Sequence, residues 1–373
     1  MKLIKNVHVY APEDRGIQDI LLCNDRIIAM RQGIAPVFED TEIIDASGKT
    51  AFPGFIDQHV HIIGGGGEDG FASLIPPIRT RDCVQYGLTG VIGLLGTDAH
   101  AKSVEALVAK TKALKEEGMS AWCLTGSYAI PTVTLTGSVG KDIVFVEEIL
   151  GVKTAISDHR SSAPTVQELA RLASEARTAG LLAHKPGIVH LHTGRGKAGL
   201  KQILQIVEET DIPIAQFRPT HCGNQLEDAL VFAAKGGYID FTAGENTAHI
   251  LAGVLQQVPL AQVTLSSDSN GSFPKWSEDH KLIGLGIGKP VTLFETIRDL
   301  IINEHVPVSD AISLITRNVA QAMMLQRKGE LKEGYDSDIV LTDDHLRITD
   351  VMCRGEFAVR NGCVTLKEKY SDV

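Results

Sequence analysis

AFPGFIDQHVHI, residues 51–62, runs into IGGGGEDG, residues 63–70. The first part reads as a buried strand that ends in two histidines one residue apart, and the second as a break into glycine. Successive strand residues face opposite ways, so His59 and His61 address one point while Val60 faces away. Further β-type runs follow: GVIGLLG (90–96), AWCLTGSY (121–128), GVKTAIS (151–157), IVHLHTG (188–194), AQFRPTH (215–221), YIDFTAG (238–244) and VTLSSDS (263–269). Helical patterns separate them. The clearest spans Thr165 to Ala179: Thr165 and Glu168 fit a capping box, Val166, Leu169, Leu172 and Ala176 share a face, and Gly180 stands as a stop. Eight strands alternating with helices over roughly 200–250 residues have the rhythm of an α/β fold, a (β/α)8 TIM-like barrel. A doubly wound sheet is disfavoured, because no strand leads into a GxGxxG-type turn.

Both ends of the chain have a different texture. LIKNVHVY and IQDILLCNDRIIAM at the start, and SDIVLT, LRITDVMCRG and CVTLKEK at the end, are short apolar runs with turn signals at Asn24-Asp25 and Asn361-Gly362. A small β-rich domain built jointly from residues 1–53 and 328–373, flanking a barrel over 54–327, is the expectation.

Composition narrows the function. With 373 residues, 43% apolar and 22% charged, the chain is globular, and 36 basic against 46 acidic residues leave a net charge of −10. That balance argues against nucleic acid or an anionic membrane surface as a partner. The longest uncharged stretch, Gly118 to Gly140, is broken by Gly126, Pro131 and Gly137 and cannot span a bilayer. The N-terminus lacks a signal-like apolar run, so a cytoplasmic location is expected. Six scattered cysteines without a CxxC pair read as reduced thiols.

In a barrel of this kind the chemistry sits where strands end. Those positions carry His59 and His61 (strand one), Lys153 (four), His192 (five), His221 (six) and Asp268 (eight). Each alone has an ordinary structural explanation: a satisfied histidine, a snorkelling lysine, a turn-forming aspartate. Together at five of eight strands they point to a site for zinc or a similar divalent ion.

With GFIDQHVHIIGGGGEDG, GTD, GSY, VKTAISDHRSS, PTH and SSDSNGS, over residues 54 to 272, the chain resembles the isoaspartyl (β-aspartyl) dipeptidases of the amidohydrolase superfamily. The resemblance implies two divalent metal ions, most simply zinc. His59 and His61 would bind the first and His192 and His221 the second, with Lys153 bridging them as a CO2-derived carbamate. Asp268 would contact the first metal and shuttle a proton from a metal-bridging hydroxide to the leaving amine. Glu68 would hold the substrate's α-ammonium and Tyr128 the scissile carbonyl. Thr97, Arg160 and Ser272 would line the pocket, Arg160 receiving a carboxylate. It also implies a small dipeptide substrate and a homo-oligomer, an octamer in that family. One position departs: HCGN places Asn224 where the family usually has arginine. Arg195, three residues after His192, is the substitute favoured here for substrate binding. Cys222, beside His221, is expected to point away by strand alternation. Two rival functions remain: a related binuclear amidohydrolase acting on an N-acyl amino acid or a cyclic amide, and a catalytically silent assembly module.

Overall fold

The computed structural model describes residues 1–276, 279 and 282–369. The run 51–62 is two strands rather than one. Thr50–Pro53 belongs to a nine-stranded sheet, and Phe55–Val60 begins the parallel sheet. Gly54 makes the transfer because there is no room for a side chain: a β-carbon there would lie 2.1 Å from Thr89 Oγ1, and its N–H donates to Asp338 O at 2.9 Å.

The nine-stranded sheet joins both ends of the chain. Thr50–Pro53 lies parallel to Lys2–Tyr10 on one side and antiparallel to Ile339–Thr342 on the other. Its hairpins turn where the sequence suggested. Asn24, at φ 50°, links Asp14–Cys23 to Arg26–Arg31, and Asn361-Gly362 links Glu356–Arg360 to Cys363–Val364. A core of Ile4, Val7, Ile20, Ile27, Ile339 and Met352 fills one face.

The middle of the chain is mixed α/β. Phe55–Val60, Leu88–Gly93, Ser120–Gly126, Ile149–Ile156, Ile188–Thr193 and Phe217–Thr220 form a six-stranded parallel sheet in chain order. Ile239–Thr242 and Val263–Ser266 form a separate parallel pair. The eight runs all become strands, but not one continuous ladder. Side chains bridge both seams instead. Thr220 Oγ1 donates to Asp240 at 2.6 Å across one. Across the other, Gln58 Nε2 donates to Thr264 Oγ1 at 2.6 Å, helped by a backbone bond from His61 N–H to Ser269 O at 2.9 Å. Each strand is buried almost throughout, because helices cover the outer face and side chains fill the inner one.

Helix Val166–Ala183 has the expected reciprocal Thr165/Glu168 box, but it continues past Gly180. Gly180 serves packing rather than termination: a β-carbon there would meet Gly187 Cα at 2.7 Å, and the turn falls to left-handed His184. Among the described residues no helix is long and apolar enough to cross a membrane.

Candidate active site

His59 is the penultimate residue of the first parallel strand, Phe55–Val60, and His61 lies just beyond its end. Their Nε2 atoms stand 3.4 and 3.1 Å from Asp268 Oδ1, so the two rings do share one target. Asp268 sits past the end of Val263–Ser266, at φ 53°. Ligand atoms of His59, His61 and Asp268 all lie within 4.8 Å of one another, a cluster able to hold a metal ion. Lys153 Nζ is fully buried and 3.4 Å from His59 Nε2. Burial pushes its amine down to about 7, so a large neutral fraction exists near neutrality.

His221 lies past the sixth strand in a left-handed conformation, φ 59°. Its Nδ1 is 2.5 Å from Thr242 Oγ1, and its Nε2 is buried without a partner, 4.0 Å from Asp268 Oδ2. His192, on the fifth strand, has both nitrogens engaged: Nδ1 with the Tyr128 hydroxyl at 2.6 Å and Nε2 with Asp158 Oδ2 at 2.8 Å. Burial holds His59 and His221 well below the usual histidine range and His192 at about 4, so these rings are neutral. Neutral His221 with its unpartnered Nε2, beside the His59 and His61 Nε2 atoms that face Asp268 Oδ1, suits a divalent cation. Burial pulls the Asp268 carboxyl up. The His61 hydrogen bond opposes it, and the net shift is downward.

Glu68, Thr97, Arg160 and Ser272 come together. Glu68 Oε1 accepts from Ser272 Oγ at 2.8 Å, Thr97 Oγ1 at 3.1 Å and Arg160 Nη1 at 3.2 Å. The glycine run makes this possible: a β-carbon on Gly64, at φ 79°, would lie 1.8 Å from Ile75 O. Lys102 fastens the same run by donating to the carbonyls of Ile63, Gly64 and Gly65. Tyr128 lies two residues beyond its strand, and burial raises its phenol well above the ordinary value.

Two compartments open from this centre. A narrow one of about 30 Å³ lies among Glu68, the glycines, Thr97, Tyr128 and Asp268. A wide one of about 560 Å³ is walled by Arg195, Asn224, Phe241, Ile250 and Phe273, with His192 and His221 at its floor. Arg195 Nε donates to Asn224 Oδ1 at 3.1 Å, and Asn224 Nδ2 donates to Thr193 O at 3.1 Å. Arg160, by contrast, spends its guanidinium on Asp158 and Glu68.

Four features escaped the sequence reading. His190, with its Nε2 2.9 Å from His59 Nδ1, repeats the HxH spacing with His192, and that signal was present in HLH. Asp158, in SDHR, and Lys102 carried no distinctive pattern. Hairpin Ser272–Trp276/Leu282–Ile287, which brings Ser272 and Phe273 over the site, was hidden by its glycines. Cys222 is buried as expected, though for another reason: left-handed His221 ends the strand, and Cys222 starts a 3-10 turn, its Sγ donating to Pro219 O.

The amidohydrolase family model matches residues 50–361. The chain belongs to the amidohydrolase family. The β-aspartyl dipeptidase of Fervidobacterium islandicum AW-1, solved in complex with the β-Asp-Leu dipeptide, superposes with a TM-score of 0.94 at 38% identity, covering 99% of this chain and 100% of that one. Within the amidohydrolases the chain therefore groups with the β-aspartyl dipeptidases, and it is a metal-dependent hydrolase. D-hydantoinase from Thermus sp. shares the fold at 19% identity and a TM-score of 0.72, covering 98% and 97% of the two chains. Adenine deaminase of Bacillus pumilus (strain SAFR-032) is 24% identical over 92% of this chain, which spans about half, 54%, of that protein.

Proposed function

We propose that this amidohydrolase removes β-aspartyl residues from isoaspartyl dipeptides on a closed (β/α)8 barrel over 54–327, with the 1–53/328–373 domain beside it. The carrying observation is the junction of the metal cluster with Glu68, an acid held in a glycine cradle beside Thr97, Arg160 and Ser272. A free α-ammonium of a β-aspartyl group is the partner such a carboxylate suits. His59 and His61 would hold one divalent ion, most simply zinc. His192 and His221 would hold a second, Lys153 as a carbamate bridging both. Bound there, the ions would supply Lewis-acid polarisation of the amide carbonyl and of water.

The chain's own groups do the rest. Asp268, kept anionic, accepts a proton and returns it to the leaving amine. Tyr128, whose hydroxyl is engaged by His192 Nδ1 in this structure, donates to the carbonyl oxygen once that nitrogen is otherwise occupied. The leaving residue occupies the wide compartment, its carboxylate toward Arg195, which stands in for the arginine missing at Asn224. A cytoplasmic homo-oligomer, an octamer as in the family, completes the proposal. A substrate panel of β-Asp-Leu, α-Asp-Leu and N-acetyl amino acids tests it. Turnover confined to β-Asp-Leu supports the reading, and preference for an N-acetyl amino acid overturns it.

A further inference from the structure

We infer that Asp158 is a positioning residue that sets, with one carboxylate, both the second metal's histidine and the substrate-side arginine. This rests on the proposed reading of His192 as a metal ligand. Asp158 Oδ2 is 2.8 Å from His192 Nε2. An ionised carboxylate only accepts, so the ring proton sits on Nε2 and the lone pair on Nδ1. In this structure Nδ1 accepts from the Tyr128 hydroxyl at 2.6 Å.

The two contacts of His192 are not equal. Asp158 is held by Arg160 Nε at 3.0 Å, Arg160 Nη2 at 2.9 Å and the Arg160 backbone N–H at 2.8 Å, and its side chain is only 7% exposed. The Tyr128 contact is a neutral hydrogen bond, weaker than the charge-assisted one. The bond that yields to a cation is therefore Tyr128's, and Nδ1 is the nitrogen offered. The His192 and His221 ring centroids are 4.6 Å apart, so that lone pair shares a locality with the unpartnered Nε2 of His221. The same grip leaves Arg160 only Nη1, which reaches Glu68 at 3.2 Å. An acceptor behind a metal-binding histidine fixes its tautomer and raises its basicity, and removing such a partner typically costs 10–100-fold in metal affinity.

Zinc uptake by metal-stripped Asp158→Asn protein, against a competing chelator and without substrate, tests this. Expected is one zinc bound as in the wild type and the other weakened about 10–100-fold, with the KM for β-Asp-Leu raised in the fully loaded enzyme. Asp158→Glu, which keeps the charge, should hold the second zinc more tightly than Asp158→Asn does, and it serves equally if the asparagine variant folds poorly. Two zincs held with wild-type affinity in both variants, loss of both zincs together, or a wild type that takes up only one, would overturn the inference. Because uptake is read without substrate, selective loss of the second zinc upholds it even in an enzyme that ignores β-aspartyl dipeptides. That result would sink the substrate reading alone.

Discussion

Replacing Arg195 by alanine probes how this chain manages without an arginine at position 224. Arg195 is propped through Nε by Asn224, itself anchored on the Thr193 carbonyl, and it forms no salt bridge among the described residues. Its terminal nitrogens are thus uncommitted on the wall of the 560 Å³ compartment, while those of Arg160 are taken by Asp158 and Glu68. A charge-assisted hydrogen bond is worth about 1.5–3 kcal/mol. Arg195 is exposed, where solvent screens the pair, so the lower end applies. Arg195→Ala should lose about 1.5 kcal/mol of transition-state binding, roughly tenfold in kcat/KM for β-Asp-Leu. The assay is steady-state hydrolysis of β-Asp-Leu and of its C-terminal amide. On the amide, which lacks the carboxylate, the variant should equal the wild type. Asn224→Ala, removing only the prop, should lie between wild type and Arg195→Ala. Wild-type kinetics of Arg195→Ala on β-Asp-Leu would refute the assignment.

Lys153→Ala should lose most bound metal and activity, with partial return on adding acetate or propionate; full metal content by elemental analysis would rule out the bridging role. Burial disfavours the charged amine of Lys153 and lowers its pKa to about 7. Carbamate formation consumes the neutral amine, so reactivation of stripped enzyme by a fixed CO2 concentration should be about tenfold faster at about pH 8.5 than at about pH 6. A rate that is flat or falls with pH would contradict that sign. Glu68→Gln should narrow the discrimination between free and N-acetylated β-aspartyl substrates, on the order of 10- to 150-fold in the parent enzyme if one charged hydrogen bond is at stake; unchanged discrimination removes Glu68 from the ammonium site. Gly64→Ala, which forces a β-carbon into Ile75 O at a left-handed φ, should displace Glu68 and cut kcat/KM while circular dichroism stays native-like.

What the sequence disclosed depended on whether a local rule governed the position. Alternation along one strand was enough to aim His59 and His61 together, and the Thr165/Glu168 box and the Asn24 and Asn361-Gly362 turns followed from local chemistry. Positions fixed by distant segments were not legible. Gly54 is glycine because Thr89 and Asp338 crowd it, and Gly180 because the chain returns against it at Gly187. His190 and His192 share a strand face, and spacing does not separate the ring beside His59 from the one between Tyr128 and Asp158. Asp158, in SDHR, carries no local pattern that marks it. Its role appears only when the fourth and fifth strands lie side by side, pairing Ile156 with Thr193.

The central claim is that the His59/His61/Asp268 cluster and the Glu68 cradle form one metal-dependent β-aspartyl hydrolase site. The most direct measurement is a zinc titration of metal-stripped protein in bicarbonate buffer, with hydrolysis of β-Asp-Leu and α-Asp-Leu followed in parallel. The account predicts no turnover of either peptide without metal, and β-Asp-Leu activity rising to a plateau at about two zinc per chain, with α-Asp-Leu inert throughout. Hydrolysis of β-Asp-Leu that persists in the stripped protein, or zinc-dependent cleavage of both peptides alike, would contradict it.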